Sequence, residues 1–504
     1  MRKPERLRSQ PVRSVDQAVE LAEAEREMRF SQRVDALAEA MGSPADLSVR
    51  NLADGVAAVY LTTMVDAEGL REAVISPLSG VPAPRLAHIE QLMEFVTVGG
   101  ITEPLSLNEA ADGVAEGKVA LVVEDRVNPY LIDVSTYVGR KVGAAATEPA
   151  VLGPHDAFNE SLQENMALIR YRIRNRNLTF RRLVLGADTG TQVLVVYVKG
   201  KASEEMVDKV VRRLESADTP VVLDTAFLRE YVTGHVWSPF PLAASTERPD
   251  RVCGEILQGR VAILCDSSPF ALIVPAQFVM LLHASADSYD LPLQSLLLRL
   301  VRVIGWLVAT MAPALYIVVS SFSPGILPPN AVMSIQAARQ GVPYPPIIEV
   351  LIMDLALELL AEASVRLPAN VGGAATVVGG LILGTAASEA RLVSNVMIIV
   401  VAATAIGTFA LPGYQNQMSW RLTKYLFTAA AALLGLTGLV SALLLVAIYL
   451  CSIDVLDTPY MSPLAPWRWT ALAKDTLVRL PQPWTVRLER RQRQEEAKAK
   501  RNAG

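Results

Sequence analysis

Long apolar segments in the second half of this chain limit how it can fold more than any other feature. Hydrophobic residues make up 51% of the 504 residues and charged residues only 19%. The excess lies after residue 300, in four segments close to the roughly 20 residues that cross a bilayer's hydrocarbon layer: 303–321, 371–388, 392–411 and 426–450. They predict an all-α polytopic membrane domain of about four spans, between residues 291 and 455.

One further segment of helical length, 346–364, is apolar but acidic. On an α-helix its acids and the arginine that follows the segment form a single stripe, from which Glu349 is displaced: Asp354, Glu358, Glu362 and Arg366. A charge that faces lipid at the bilayer centre costs about 2.5–3.5 kcal/mol or more, so the stripe must face water or protein. Two arrangements remain open: an amphipathic helix with its acids outward at the membrane interface, or a helix whose four charged residues line an aqueous path.

The region between residues 46 and 290 alternates short β-rich runs with amphipathic helices, which indicates a soluble α/β fold. Two of its stretches resemble each other, and each predicts a β-hairpin: "GKVALVVEDRVNPYLIDV" from Gly117 and "GRVAILCDSSPFALIVP" from Gly259. A strand and a helix precede both at similar spacing. The pattern predicts two related α/β subdomains, 46–150 and 151–290, after a charged helical arm, 1–45. Four arginines between 170 and 176 predict a solvated or partner-facing surface.

Basic residues suggest an orientation for the membrane domain. Arg299 and Arg302 precede the first apolar segment, Arg391 lies between the second and third, and the tail 456–504 is basic. The positive-inside rule places these three regions in the cytoplasm. Arg421 and Lys424 fall on the other side and count weakly against this scheme. No apolar stretch typical of a signal peptide follows the N-terminus, so we expect a multi-pass protein with both termini on the cytoplasmic side.

Several functional classes find no support in the sequence. No Walker A, G-x-G-x-x-G or G-x-S-x-G motif is present, so we expect no enzyme activity and no cofactor. The three cysteines and four histidines have no metal-ligand spacing, and we expect no metal site. A net charge of −4, with no long basic stripe before the tail, argues against nucleic-acid binding.

The second apolar segment is rich in small residues. Gly380 and Gly384 form a G-x-x-x-G motif, with further glycines nearby. Such residues allow helix backbones to approach closely, so we predict helix packing at Gly380 and Gly384. Small residues on several faces favour a homo-oligomer within the lipid bilayer.

Five blocks of the sequence resemble, in order, the signature blocks of the GerA spore germination family: "GPHDAFNESLQENMALIRYRIRNRNL", "FPLAASTERPDRV", "LQGRVAILCDSSPFALIVP", "VPYPPIIEVLIMDLALELLAEASVRLP" and "AIGTFALPGYQ". That family includes the A subunits of germinant receptors and the stage V sporulation protein AF. "VWSPFP" and "AIGTF" are more similar to the AF branch, and "PPIIE" to the receptor A subunits. "GPHDAF" and "CDSSP" depart from the usual family residues, which argues against ligand roles for His155 and Ser267 but not against the fold.

The resemblance implies a protein of the spore inner membrane, with its N-terminal domain in the core. It implies an oligomer that forms or gates an ion path when germinant is sensed, together with a transporter-like B subunit and a lipoprotein C subunit, or with an AF-type partner. A non-conducting scaffold that couples a germinant sensor to another channel is the alternative. The resemblance implies that the "ERPD" motif is a structural joint between the soluble subdomains: Glu247, Arg248, Pro249 and Asp250. In the simplest form of this joint, Glu247 and Arg248 are a buried ion pair.

Overall fold

Two five-stranded sheets with the same strand order form the first part of the fold. The computed structural model describes residues 28–96, 100–135, 143, 145–366 and 369–467. The first sheet has the order β1-β2-β4-β5-β3 and the second β6-β7-β9-β10-β8, so each places its third strand in sequence at the far edge. The strands of the first sheet are β1 (Leu47–Ala53), β2 (Val56–Leu61), β3 (Ile101–Thr102), β4 (Lys118–Val123) and β5 (Tyr130–Asp133). Those of the second are β6 (Leu178–Leu185), β7 (Thr191–Val198), β8 (Ala244–Thr246), β9 (Val261–Cys265) and β10 (Ala271–Val274).

Both predicted hairpins are confirmed. Strand β4 pairs antiparallel with β5, and β9 pairs antiparallel with β10. The α-helices before and between the strands are α1 (Phe30–Ala40), α2 (Ala67–Leu70), α3 (Ser76–Leu78), α4 (Ile89–Phe95), α5 (Leu107–Ala115), α6 (Leu162–Arg172), α7 (Glu204–Glu215), α8 (Thr225–Thr233) and α9 (Pro249–Leu257). The region is therefore α/β, as the alternation of patterns predicts.

Alternating side chains of β2 enter two different cores. Val56 and Ala58 belong to one hydrophobic cluster, whereas Ala57 and Val59 belong to the other, because neighbouring strand residues point to opposite faces. Helix α1 contributes Leu37 to the second cluster. This part of the predicted arm thus packs on the first sheet, while residues 1–27 lie outside the described residues.

A buried ion pair joins the two sheets. The Arg170 guanidinium, on α6, donates two hydrogen bonds of 3.0 Å to the Asp46 carboxylate just before β1, and neither side chain is exposed. Thr63 Oγ1 also donates to Asp46 at 2.7 Å. The expected solvated arginine surface is therefore wrong at Arg170. Its neighbours Arg172 and Arg176 have polar partners within the fold too, Asp156 and Asn108.

Helices make up the second part of the fold. They are α10 (Pro292–Ile317, extended by a π-helical turn, Val318–Phe322), α11 (Pro329–Ala338), α12 (Pro346–Arg366), α13 (Ala369–Glu389), α14 (Asn395–Phe409) and α15 (Tyr414–Ser452). Within the described part of the chain, two helices are long and apolar enough to cross a membrane, Pro292–Phe322 and Tyr414–Ser452. Helix α14 is apolar but has 15 residues. The side chains of residues 369–378, in the predicted second span, lie outside the described residues. The count of four spans stays a prediction.

Helix α15 reverses its direction in the middle. The Phe240 ring lies 5.0 Å from the Trp420 ring and 6.2 Å from the Tyr449 ring, between centroids. In one straight helix Trp420 and Tyr449 would be roughly 43 Å apart, since each residue adds about 1.5 Å. The predicted span 426–450 is therefore two helical arms, 414–434 and 436–452, and not one straight span.

Glycine makes this reversal possible. Gly435 has φ 61° and ψ −138°, a conformation that residues with a side chain rarely adopt. A Cβ atom at Gly435 would also lie 2.9 Å from Cγ of Phe322, at the end of the π-helical turn. Backbone geometry and the close approach of Phe322 both require glycine here.

A short hairpin follows α15. Strands β11 (Asp454–Val455) and β12 (Thr458–Pro459) pair antiparallel. Tyr460 is 1% exposed, and its carbonyl oxygen accepts a hydrogen bond of 3.0 Å from the Phe278 N–H. Residues 456–467 of the predicted tail are thus part of the helical unit, and residues 468–504 lie outside the described residues.

Spin labels can test the reversal of α15. We expect labels at Leu422 and Ile448, which are exposed, to be far closer than the roughly 39 Å of a straight helix. Double electron–electron resonance on the full chain in lipid would measure this distance. In a Gly435→Ala background the distance should lengthen or its distribution broaden, because the reversed backbone is strained. A main distance near the straight-helix value without that change would contradict the hairpin.

Candidate functional site

The acidic stripe of α12 changes from buried to exposed along the helix. Asp354 is 1% exposed, and its Oδ1 lies 3.1 Å from Lys424 Nζ. Glu358 is half-buried and accepts hydrogen bonds from Arg421 Nε at 3.0 Å and from Tyr425 Oη at 3.1 Å. The last two charges of the stripe, Glu362 and Arg366, are exposed and pair with each other at 2.6 Å. The structure thus brings the inner two acids to basic partners on α15.

The two interhelical ion pairs show that α12 and the first arm of α15 run antiparallel. Asp354 and Glu358 are four residues apart on α12, and their partners Lys424 and Arg421 are three residues apart in the opposite order. Residues at these spacings share one face of a helix. The acids of α12 therefore meet matching cations along one contact between the helices.

The sequence pattern does not identify either cation as a partner of the stripe. The positive-inside rule leaves Arg421 and Lys424 on the far side of the membrane, where they count weakly against the predicted orientation. One feature of the sequence does point to this pairing. The two cations are three residues apart just before an apolar run, and the two acids are four residues apart, so each pair lies on one face of its helix. Removing one member of a buried pair typically costs about 3–5 kcal/mol, since a charge is left uncompensated. Asp354 and Lys424 are both almost fully buried, so replacing either one alone should destabilise the fold by leaving the other charge without its partner.

Glu349, which lies off the stripe, is the centre of a second polar cluster. It is fully buried and accepts hydrogen bonds from Ser394 N at 2.9 Å, Arg339 Nε at 3.1 Å and Tyr316 Oη at 3.4 Å. Ser394 caps the N-terminus of α14, where Oγ accepts from Met397 N at 3.2 Å. A carboxylate is favourable there because unpaired N–H groups and the helix dipole attract negative charge. Glu349 thus joins α10, α12 and α14.

Two glycines of the helical unit lie where helix backbones come close together. A Cβ atom at Gly407 of α14 would collide with the carbonyl oxygen of Gly305 of α10. By contrast, Cβ atoms at Gly380 and Gly384 would meet only side-chain carbons of Leu360 and Ile398, at 3.8 and 3.9 Å. A Cβ atom at Gly438, in the second arm of α15, would collide with the carbonyl oxygen of Ala430 in the first arm. Gly407 and Gly438 are therefore positions where helix backbones meet within one chain, whereas packing at Gly380 and Gly384 stays a prediction.

The "ERPD" motif forms two separate sets of contacts. Glu247 is 6% exposed, and its carboxylate accepts three hydrogen bonds. The donors are the Thr147 hydroxyl at 2.8 Å, the Glu148 N–H at 3.0 Å and the Thr147 N–H. The fully buried Arg248 donates to Asp250 at 2.8 and 3.0 Å and to the Pro154 carbonyl at 2.9 Å.

These contacts tie the start of α9 to the loop around residues 147–154. Pro249 is at the first position of the helix, where a missing N–H is tolerated. Asp250 follows in the first helical turn. Glu247 and Arg248 thus have partners of their own in place of the expected mutual pair.

Hydrogen bonding controls the ionisation of Glu247. Burial alone raises its pKa, but the hydrogen bonds from the Thr147 hydroxyl and from the N–H groups of Thr147 and Glu148 outweigh burial, so the net pKa is lowered. Nearby, burial raises the pKa of Cys253 to about 12, which makes this thiol unreactive at neutral pH. Among the described residues, no group of three or more His, Cys, Asp or Glu side chains could hold a metal ion.

Fold and site together define a two-part protein, with an α/β unit followed by apolar helices that carry interhelical ion pairs. The model of the Bacillus/Clostridium GerA spore germination protein family matches residues 35–492, and the chain belongs to this family. The resemblance noted from the sequence blocks is thereby confirmed.

Two relatives with similar sequences agree with this assignment. The chain is 35% identical over 451 residues to spore germination protein KA of Bacillus subtilis (strain 168), covering 88% of this chain and 82% of that protein. It is 32% identical over 448 residues to spore germination protein GerLA of Bacillus cereus, covering 88% and 91%. One match among solved structures is the crystal structure of the N-terminal domain of the A subunit of the Bacillus megaterium spore germinant receptor GerK3. The match has 25% sequence identity and a TM-score of 0.39, and it covers 49% of this chain and 95% of that chain.

Acid should weaken the joint at Glu247. Because its folded pKa lies below the unfolded value, the carboxylate stabilises the fold above the unfolded pKa, about 4.3 for Glu, and this contribution is lost as pH falls through the folded pKa. Charged hydrogen bonds of this kind contribute about 1.5–3 kcal/mol. We expect amide exchange in α9, corrected for its intrinsic pH dependence, to accelerate at acid pH in the wild type.

Two variants complete this test. Glu247→Gln should already exchange faster at neutral pH and show little further acid effect. The half-exposed Glu116→Gln serves as the control and should behave like the wild type. Identical pH profiles for the wild type and Glu247→Gln would contradict the assigned role.

Proposed function

We propose that this chain is an oligomeric subunit that forms or gates a cation path in the spore inner membrane when a germinant is sensed. It would work with transporter-like B and lipoprotein C subunits, or with an AF-type partner. The observation that supports this proposal is the acidic stripe of α12, whose inner acids lie among apolar helices and are held by Lys424 and Arg421. Charged residues at membrane depth are rare and mark substrate or ion pathways in many membrane proteins.

The ion pairs suggest how such a path would be gated. While Asp354 and Glu358 hold Lys424 and Arg421, their charge is compensated within the chain. If α12 moved against the first arm of α15, the acids would be free to attract cations and replace part of their hydration shell. Breaking these pairs costs several kcal/mol, so the signal must favour the open arrangement by a comparable free energy. In the closed state, the pairs would act as the restraint.

The second candidate is the non-conducting scaffold that couples a germinant sensor to another channel. The same ion pairs also support this function. Both inner acids are compensated within one chain, and only Glu362, which is exposed, lies outside an interhelical pair. A helix held in this way can transmit movement without conducting. Single-channel recording of the purified protein in a planar bilayer would separate the two candidates.

A common orientation for both ends of the helical unit is part of the proposal. Trp306, in the middle of α10, lies 4.9 Å from Trp420 in the first arm, between ring centroids, while Phe322 at the end of the π-helical turn approaches Gly435. Since the second arm returns from Gly435, the end of α15 lies on the same side of the helical unit as the start of α10. This arrangement supports placing both termini on the core side of the membrane.

Variants of the Glu358/Arg421 pair can distinguish a pore role from a pairing role. Glu358→Gln removes one negative charge per subunit, so we expect lower cation selectivity in single-channel currents and slower ion release from spores. It also leaves Arg421 without its carboxylate. The double variant Glu358→Gln, Arg421→Gln restores charge balance between the helices and is the matched control.

The double variant decides the question. If Glu358 attracts cations, selectivity should stay low in the double variant at matched membrane abundance. If Glu358 serves only to hold Arg421, the double variant should recover toward the wild type. Recovery would move the assignment to the scaffold function. Glu349→Gln is unsuitable as a neutral control, because Glu349 is the centre of its own buried cluster.

Packing between subunits is tested at Gly380. This residue is exposed in the single chain, and a Cβ atom there meets only Leu360 at ordinary contact distance. We therefore expect Gly380→Leu to leave the fold of the chain intact but to weaken the oligomer, as measured by chemical cross-linking. Gly407→Leu, which would collide with α10, should instead reduce the amount of folded chain. Unchanged cross-linked oligomers in Gly380→Leu would remove this glycine from the proposed interface.

A further inference from the structure

A short loop within residues 234–242 presents an apolar tip. The Ser238 N–H donates to the His235 carbonyl at 3.2 Å and closes a four-residue turn, with Val236 and Trp237 at the tip. Trp237 is 96% exposed and Val236 is 59% exposed. Turns that face water usually carry Gly, Pro, Asn, Asp or Ser at such positions, because these residues suit the backbone and the solvent. A Val-Trp tip therefore suits a less polar environment than water.

The loop is attached to the end of the second arm of α15. His235 Nε2 lies 3.2 Å from the carbonyl oxygen of Asp454, which comes just after the helix ends at Ser452. Phe240, on the other side of the tip, packs its ring against Tyr449 in the last turn of the arm and against Trp420. A helix that crosses a bilayer ends near the headgroups, so these contacts hold the loop at that level.

We propose that the Val236–Trp237 tip inserts into the headgroup–acyl boundary of the bilayer. Tryptophan suits this boundary because its ring is largely apolar and its indole N–H can donate to ester or phosphate oxygens. Continuity with the membrane helix identifies phospholipid as the partner. The Ser238 hydroxyl donates to the Phe240 carbonyl at 3.0 Å and holds the turn together. The inserted tip would fix the end of the α15 hairpin relative to the membrane.

A lipid-quenching experiment tests the insertion on the full chain. Trp237→Cys would be labelled with an environment-sensitive fluorophore in a Cys451→Ser background, since Cys451 is exposed whereas Cys253 and Cys265 are buried. The protein would be reconstituted into phosphatidylglycerol–phosphatidylcholine vesicles that carry a doxyl group near the headgroup end of some acyl chains. We expect doxyl lipid to quench the label several-fold more than aqueous iodide does.

Two control positions separate this inference from the membrane location on which it rests. Ile448→Cys lies in the last turns of α15 and is 65% exposed, and Leu105→Cys lies in the α/β unit and is 84% exposed. Lipid should quench Ile448→Cys, and iodide should quench Leu105→Cys. If lipid quenches position 448 while iodide quenches position 237, or if position 237 is protected from both quenchers, the insertion is overturned and the membrane location stands. If lipid quenches neither position, the membrane location fails as well.

Discussion

The ion pairs between α12 and the first arm of α15 are the constraint on which the helical unit depends. Asp354 and Lys424 are almost fully buried, and a charge without a partner in such a place is costly enough to unfold or displace a helix. The pairs therefore fix the direction of α12 relative to the arm and keep it against that neighbour. Any function that moves α12 has to exchange these partners for water, ions or another subunit. The same feature explains how an acidic helix can lie among apolar ones.

Helix α15 supports this arrangement through its reversal at Gly435. Because the chain turns back there, Trp420 and Tyr449 both reach Phe240, and the first arm lies beside α10. The close contact between Gly305 and Gly407 then lets α14 approach α10 on another side. Glu349 joins α12 to the capped start of α14. Charge pairs, glycine contacts and one buried carboxylate thus hold the same small set of helices.

Buried charged residues also connect separate segments within the α/β unit. Its two sheets have the same strand order, and the buried pair between Asp46 and Arg170 joins them. Glu247 fastens the loop around residue 147 by accepting hydrogen bonds from the N–H groups of Thr147 and Glu148. In both units, buried charges lie where separate pieces of chain must meet. A partner at such a point has to match in geometry and in charge, which makes the joint specific.

Sequence alone determined the features that depend on local pattern. The hairpins from Gly117 and Gly259 follow from alternating and apolar runs bounded by turns, and the helices follow from apolar segments of sufficient length. The family follows from blocks of matching residues, because these retain their order along the chain. The stripe of Asp354, Glu358 and Glu362 was visible for the same reason, as helical periodicity is local.

Tertiary structure alone decided which distant residues meet. Lys424 and Arg421 lie more than sixty residues from their acids, and no local pattern identifies such partners. The reversal at Gly435 was equally hidden, because an apolar run of about 25 residues looks the same whether it is straight or folded back. Helix periodicity tells which residues share a face, but the partner across that face depends on the path of the whole chain.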